Sequence, residues 1–137
     1  MGTLQEKTNN PLNIRFNPAN AWKGQISEYK GFCVFVSESY GFRAGYRLLT
    51  NYIAMGVDTI EKIIDRWAPP CENNTEEYIK FVCNETLIPR DLYLTDNSIH
   101  DYWTKIIILE AMAKMESGKS YDCQQINLYI NYPEKYI

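Results

Sequence analysis

Residues 98–118, SIHDYWTKIIILEAMAKMESG, form the longest helical pattern in the chain and decide its fold class. Ser98 can cap the start of the helix, Asp101 suits the dipole in the first turn, and Gly118 is a natural stop. One face advances by steps of four, three, four and three residues: Tyr102, Ile106, Leu109, Ala113 and Glu116. That face is apolar until its last member. The sequence therefore predicts a core helix over about 98–117 with a glutamate at the edge of the core.

Four more segments have helical spacing together with start or stop residues. They are a helix from Ser37 or Ser39 to about Met55, a helix over 59–67 capped by Asp58, a helix capped by Thr75 that ends before Ile88-Pro89, and a helix over about Cys123–Asn131. Gly56 and the pair Pro69-Pro70 supply two of the stops, because glycine ends a helix readily and proline lacks the backbone donor.

The segment before about Gly31 is rich in asparagine, proline and glycine, which indicates successive turns. Within it, residues 14–16 are predicted as a short strand, and the aromatic and β-branched residues 32–36 as a stronger one. The two predict a small ribbon near the N-terminus. With no repeat or linker visible, we expect a mainly α (α+β) fold in one domain over 1–137.

The composition argues against several classes of function. The formal net charge is −3 and there is no run of lysine or arginine, so a nucleic-acid surface is not expected. The most apolar run, 106–109, is too short for an integral membrane segment. The N-terminus lacks the apolar core of a signal peptide, so we expect synthesis in the cytoplasm without one.

The cysteines do not have the spacing of a metal site. No two of them form a C-x-x-C pair, and His100 is the single histidine, so we expect no metal and no cofactor. A chain of this length can build a sufficient core without covalent links. The sequence therefore favours buried, reduced thiols over disulfides for the four cysteines: Cys33, Cys71, Cys83 and Cys123.

Glu116 is the candidate catalytic residue. Partial burial and the negative end of the helix dipole would both raise the pKa of its carboxyl group. A carboxylic acid that stays protonated near neutral pH is what a glycosidase needs, because the leaving sugar oxygen must receive a proton. The alternative is a solvated surface residue or a salt-bridge partner. Glu110 lies on another face of the same helix and carries no such implication.

A series of local motifs resembles a family of phage-encoded lysozyme-like proteins, often labelled virion structural proteins. The motifs are NNPLNIR at 9–15, WKG at 22–24, FCVF at 32–35, YGFRA at 40–44, RWAPPCENNTEEY at 66–78 and MESG at 115–118. The resemblance covers nearly the whole chain, and the WAPP/ENxT/Y block is its most specific part. Leu12 and Ser117 depart from the family pattern, which has glycine and asparagine there.

The motifs also resemble those of lytic transglycosylases and of phage or flagellar glucosaminidases, but in rotated order. In those enzymes the Glu-Ser pair precedes the turn and the aromatic ribbon, whereas here Glu116-Ser117 comes last. Joining the two ends would restore the usual order. The resemblance thus implies a lysozyme-like fold, possibly circularly permuted, with Glu116 facing the turn at the other end of the chain.

The resemblance implies cleavage of the β-1,4 bond between N-acetylmuramic acid and N-acetylglucosamine, with Glu116 as the acid. A transglycosylase needs no further carboxylate, whereas a hydrolase needs a second one, for which Glu38 and Glu72 are candidates. The expected partners are peptidoglycan glycan strands and possible virion components, at the cell wall or in the virion. Two alternatives are a non-catalytic virion structural or peptidoglycan-binding protein, and an interaction protein inside the host.

Six further residues are candidates for substrate binding, and four of them have a structural alternative. The asparagines 10 and 13 can instead form turns, Trp22 can cover the core, and Asn73 can serve the start of a helix. A tyrosine at the position of Tyr78 orients the acid or the substrate in the resembled enzymes. Glu38 can instead form an ion pair with Arg43. The six candidates are Asn10, Asn13, Arg15, Trp22, Asn73 and Tyr78.

Overall fold

The computed structural model describes residues 3–71 and 73–137. Six α-helices and one two-stranded antiparallel sheet make up this part of the chain, so the predicted mainly α (α+β) class is confirmed. A 3-10 turn, Pro133–Tyr136, follows the last helix. The elements are α1 (Leu4–Thr8), β1 (Gln25–Tyr29), β2 (Phe32–Phe35), α2 (Glu38–Ala54), α3 (Ile60–Trp67), α4 (Thr75–Thr86), α5 (Ile99–Ser117) and α6 (Cys123–Asn131).

Helix α5 forms the centre of the core, as predicted. Ile106, Leu109 and Ala113 are fully buried, and the helix packs against α2, α4 and α6. Both predicted ends are confirmed. The Ser98 hydroxyl accepts a hydrogen bond from the Asp101 amide at 3.1 Å, and Gly118 ends the helix with a positive φ of 73°.

The starts of two helices lie one residue away from the predicted caps. Helix α3 is capped by Thr59 and not by Asp58, because the Thr59 hydroxyl accepts from the Lys62 amide at 3.2 Å. Helix α4 is capped by Asn74, and the Thr75 hydroxyl instead donates to the Ala68 carbonyl at 2.5 Å. Adjacent polar residues compete for a cap, and the one whose oxygen reaches the third helical amide forms it.

The predicted ribbon is present, but one of its strands was assigned wrongly. Strand β2 pairs with β1, while residues 14–16 make only an isolated bridge between Arg15 and Phe32. Lys30 and Gly31 join the strands, with φ of 50° and 87°. Two successive positive φ values fit the right-handed twist of a tight hairpin, so this turn selects β1 as the partner.

Helix α1 was not predicted. Its signal is a capping box in which the Thr3 hydroxyl accepts from the Glu6 amide at 3.2 Å and the Glu6 carboxylate accepts from the Thr3 amide at 3.3 Å. Asn9 ends the helix in the left-handed region, with φ of 52°.

The N-terminal and C-terminal parts of the chain pack against each other. Ser39 at the start of α2 donates to the Pro133 carbonyl at 2.8 Å. Gly45 lets α2 approach the N-terminal turn closely, because a Cβ there would lie 2.3 Å from a methyl group of Leu12. Within the described ranges, no helix has the length and apolar character needed to cross a membrane.

All four cysteines are free. Cys33 is buried as predicted, but Cys71 is exposed, and Cys83 and Cys123 are partly exposed. The expectation of buried thiols is therefore wrong for three of the four. Cys71 follows the proline pair that ends α3, where the chain turns back at the surface, and helical spacing cannot show that exposure.

Candidate functional site

Glu116 occupies the last turn of α5, is mostly buried, and has a neutral donor on each carboxylate oxygen. The Asn13 side-chain amide donates to Oε1 at 2.9 Å, and the Tyr78 hydroxyl donates to Oε2 at 2.9 Å. Asn13 lies 103 residues away from Glu116 along the chain. The predicted meeting of the late glutamate with the N-terminal turn is therefore confirmed.

The N-terminal turn is held in place by Asn10, whose side chain is fully buried. Its amide nitrogen donates to the carbonyls of Ile14 and Cys33 at 2.9 and 3.0 Å, and its oxygen accepts from the Ile14 amide at 2.9 Å. Asn13 takes a left-handed conformation in this turn, with φ of 50°. The geometry favours a structural role for Asn10 over the binding role that the sequence suggested.

Gln5, which the sequence analysis missed, orients the Asn13 amide. The Gln5 side-chain nitrogen donates to Asn13 Oδ1 at 2.9 Å and to the Glu116 backbone carbonyl at 3.1 Å. Because the oxygen of Asn13 is occupied by Gln5, its nitrogen faces the Glu116 carboxylate. The available signal was the capping box of α1, which places Gln5 on a short helix beside the turn.

Tyr78 lies in the first turn of α4, one turn in as the sequence indicated, and is 4 % exposed. Burial, with the neighbouring Glu116 charge as the second cause, raises the pKa of the Tyr78 hydroxyl well above its ordinary value. The phenol therefore stays protonated and serves as a hydrogen-bond donor to Glu116.

The pKa of Glu116 is raised above its ordinary value, as predicted, and burial is the largest cause. The hydrogen bonds from Asn13 and Tyr78 and the charge of Arg15 lower it in part. Burial outweighs these three effects, because the two bonded donors are uncharged and do not replace the lost hydration of a carboxylate. The arrangement makes the proton of Glu116 harder to remove than that of an exposed glutamic acid and fixes the geometry of its carboxyl group.

A small pocket of about 70 Å³ opens beside Glu116. It brings together three of the predicted binding residues: Asn13, Arg15 and Asn73. Glu116 is the single carboxylate among the described residues that line it. The rest of the described lining is Phe32, Trp67 and Ala68.

A larger pocket of about 390 Å³ adjoins the small one and shares Asn13, Arg15 and Trp67 with it. Its walls are the N-terminal turns, one side of α2 and the end of α3. Trp22, another predicted binding residue, lies in this larger pocket. The remaining described residues of its lining are Ile14, Phe16, Asn17, Pro18, Asn20, Leu48, Tyr52 and Arg66.

Trp67 connects the two pockets and was missed as a site residue. Its indole N–H donates to the Leu12 carbonyl at 2.9 Å, which ties the end of α3 to the N-terminal turn. Its ring meets the edge of Tyr52, with 6.1 Å between centroids and 85° between planes. The signal was its place in the WAPP motif, which the sequence analysis used for the family resemblance alone.

The two candidates for a second carboxylate have different outcomes. Glu38 lines a separate pocket with the C-terminal residues and pairs with Lys119 at 3.4 Å. The ion pair predicted between Glu38 and Arg43 is not among those shown for residues 3–71 and 73–137, in which Lys119 is the cation that contacts Glu38. Glu72 lies outside the described residues.

No group of three or more histidine, cysteine, aspartate or glutamate side chains in residues 3–71 and 73–137 is arranged to hold an ion. The donors around Glu116 are an amide, a phenol and a second amide that acts through Asn13. These groups suit proton transfer and the binding of hydroxyl or N-acetyl groups.

Comparisons with known proteins point to bacteriophages. No family model matches the chain. It is similar to Protein P5 of Pseudoalteromonas phage PM2, with 40 % identity over 119 residues that cover 83 % of this chain and 71 % of that protein.

Proposed function

The chain belongs to the family of Protein P5 of Pseudoalteromonas phage PM2, and for this phage-derived protein we propose cleavage of peptidoglycan glycan strands at the Glu116 pocket. The bond cut is the β-1,4 link between N-acetylmuramic acid and N-acetylglucosamine. The resemblance to phage lysozyme-like proteins and lytic transglycosylases, in rotated motif order, supports this substrate. The action belongs at the cell wall or in the virion.

One observation carries the proposal: a mostly buried carboxyl group with a raised pKa, fixed by two neutral donors at the edge of a pocket. Cleavage of a glycosidic bond requires a proton on the leaving oxygen. In the proposed mechanism Glu116 gives up that proton, and Asn13 and Tyr78 then stabilise the carboxylate that remains. Each oxygen keeps a lone pair beyond its bond to the protein, which suits transfer to a ligand in the small pocket.

The larger pocket suits a sugar chain. Trp22, Tyr52 and Trp67 offer aromatic faces, on which the apolar side of a pyranose ring packs. Side-chain amides from Asn13, Asn17 and Asn20 offer paired donors and acceptors for N-acetyl groups. The volume of about 390 Å³ is in the range of small-ligand sites.

Once the leaving sugar oxygen has been protonated, the reaction can finish in two ways. In a transglycosylase, the Glu116 carboxylate accepts the proton of the sugar's own 6-hydroxyl, which closes an anhydro ring. In a hydrolase, a second carboxylate activates water. The products identify the course, because the first leaves anhydro ends and the second leaves reducing ends.

The test is to incubate the purified protein with peptidoglycan and to analyse the soluble muropeptides by mass spectrometry. Glu116→Gln keeps the size and hydrogen-bonding shape of the side chain but removes the acid, so cleavage is expected to fall about a thousandfold. Glu110→Gln is the matched control, since Glu110 lies on the same helix and bonds the Cys123 thiol instead. Equal release by the wild-type and Glu116→Gln proteins contradicts the assignment.

The alternative is a non-catalytic virion structural or peptidoglycan-binding protein. The observation that favours it is that both oxygens of Glu116 are already bonded within the protein. In that case the wild-type protein sediments with peptidoglycan but releases no muropeptides, and Glu116→Gln binds equally well.

A further inference from the structure

The larger pocket carries positive charge that an uncharged sugar chain does not require. Arg66 lines it, and none of its described lining residues is acidic. A polymer of N-acetylglucosamine alone bears no charge and offers a guanidinium group neutral acceptors but no carboxylate. A muramic acid unit differs, because its lactyl group, or the peptide attached to it, carries carboxylates.

Arg66 is placed to bind such a group. It sits next to Trp67 near the end of α3, exposed to solvent, with its guanidinium 5.7 Å from the centre of the Tyr52 ring. Tyr52 in turn meets Trp67 edge-on, so the stack holds Arg66 beside the residue that joins the two pockets. A guanidinium group that lies over an aromatic ring contacts the ring with its own flat face. The N–H donors at the edge of the guanidinium stay available, and these are the groups that bind a carboxylate in pairs.

The ion pairs of the described residues leave Arg66 without a carboxylate. Arg90, by contrast, bonds Glu61 at 2.7 Å and Glu76 at 2.6 Å, which links α3 to α4. No side chain of residues 3–71 or 73–137 pairs with Arg66 in this way. Arg90 therefore stabilises the fold, whereas the edge of the Arg66 guanidinium group is available to a ligand.

We propose that Arg66 binds a carboxylate carried by the muramic acid unit of the substrate, so that the pocket selects carboxylate-bearing glycan over plain N-acetylglucosamine chains. This inference rests on the proposed function, since it concerns the same pocket. The carboxylate has two chemical sources. One is the stem peptide, and the other is the lactyl group once the peptide has been removed.

The test measures binding in a Glu116→Gln background, so that turnover does not interfere. Three ligands are titrated calorimetrically: glycan strands with stem peptides, the same strands after removal of the peptides by an amidase, and chitin oligosaccharides of similar length. Arg66→Gln is compared with Arg47→Gln, because Arg47 is an exposed arginine on α2 outside the pocket lining and its loss changes the net charge equally.

Arg66→Gln is expected to weaken binding of peptide-bearing strands about tenfold, by loss of a charge-assisted hydrogen-bonded pair. Its affinity for chitin oligosaccharides is expected to stay unchanged, and Arg47→Gln is expected to alter neither. A tenfold effect that disappears after amidase treatment assigns the carboxylate to the peptide. An effect that appears only after treatment, when the lactyl carboxyl group is free, and that is absent for chitin assigns it to the lactyl group. An effect on both kinds of strand means that Arg66 binds either carboxylate.

The inference is wrong if Arg66→Gln and Arg47→Gln bind every ligand alike, or if no strand binds. Its failure is separable from failure of the proposed function. If the single variant Arg66→Gln cleaves peptidoglycan with an unchanged KM, the proposed cleavage stands and the proposed contact between Arg66 and a carboxylate is wrong. If the wild-type protein binds strands through Arg66 but releases no muropeptides, the contact stands and the proposed cleavage is wrong.

Discussion

Helix α5 carries two ionisable side chains that are largely shielded from solvent, Lys105 in its N-terminal half and Glu116 in its last turn, and their surroundings differ. Lys105 is 1 % exposed, bonds the Asp96 carboxylate at 2.5 Å and the Thr50 hydroxyl at 3.0 Å, and lies over the Tyr46 ring. Glu116 is bonded by an amide and a phenol. The Lys105 ammonium group is therefore in contact with an opposite charge, whereas the Glu116 carboxyl group is in contact with neutral donors.

The difference separates stability from chemistry. A buried charge that is paired and hydrogen-bonded, as Lys105 is, holds its neighbours in place. The mostly buried carboxyl group of Glu116, which receives neutral donors, has a pKa above its ordinary value, which suits a proton donor. The same helix thus anchors the core through Lys105 and presents an acid through Glu116.

The largest expected effect comes from Lys105. Lys105→Ala leaves Asp96 and Thr50 without their partner and opens a cavity, so the free energy of unfolding is expected to fall by about 3 kcal/mol. Urea denaturation followed by circular dichroism measures the loss. Cleavage per folded molecule is expected to stay near the wild-type level, because Lys105 is on a different part of α5 from the pocket.

Lys105→Met provides the matched control. Methionine fills most of the volume, so it is expected to destabilise the protein less than alanine does. If Lys105→Ala unfolds at the wild-type urea concentration, or if it abolishes cleavage while remaining folded, Lys105 does not have the purely stabilising role assigned to it.

The next effect concerns the donor to Glu116. Tyr78→Phe removes the hydroxyl that lowers the pKa of Glu116, so that pKa rises further. The loss of cleavage at high pH, where the acid has lost its proton, is expected to move to higher pH. At low pH, the poorer positioning of the acid is expected to reduce cleavage about tenfold.

A pH profile of muropeptide release measures both changes. Tyr102→Phe is the control, because the Tyr102 hydroxyl bonds Asn127 and Asn131 on α6, away from Glu116. A shift of the alkaline limb in Tyr102→Phe as well, or in neither variant, contradicts the role of Tyr78.

The smallest effect is on stability against pH. The pKa of Glu116 is higher in the folded protein than its ordinary value of 4.5, so the folded state binds this proton more tightly than the unfolded state. Its contribution to stability is fully present below that ordinary value and is lost as the pH rises through the folded pKa. Each unit of pKa difference corresponds to about 1.4 kcal/mol.

Glu116→Gln cannot lose a proton, so the variant is expected to gain stability relative to the wild-type protein across that pH range and then to stay level. Urea unfolding of both proteins at several pH values gives the difference, in which the other titrating groups cancel. If the difference in free energy of unfolding between the two proteins does not change with pH, the pKa of Glu116 is not raised by burial.

The sequence predicted the helices and the acid more accurately than the strands and the binding residues. Helix α5 was bounded correctly by Ser98 and Gly118, because caps and stops act within one turn. Strand β1 was missed because its burial pattern has no apolar alternation, with three exposed residues in the middle. Its position follows instead from the Lys30-Gly31 turn and from pairing with β2.

The site was anticipated in the same uneven way. Asn13, Tyr78 and Glu116 were named in advance, whereas Gln5 and Trp67 were not. Gln5 acts through Asn13 and a backbone carbonyl, and Trp67 acts through the Leu12 carbonyl. Such contacts to backbone groups leave no periodic mark in the sequence, because any residue supplies the carbonyl.

By itself the sequence determined the mainly helical class, the central helix and the glutamate at its end, since the spacing of apolar residues and the capping residues act within a few positions of each other. Only the tertiary structure decided what surrounds that glutamate. Asn13 and Glu116 are 103 residues apart, and they meet because the core packs α5 against the N-terminal turn. The burial that raises the pKa of Glu116, and the pocket beside it, arise from that packing of distant segments.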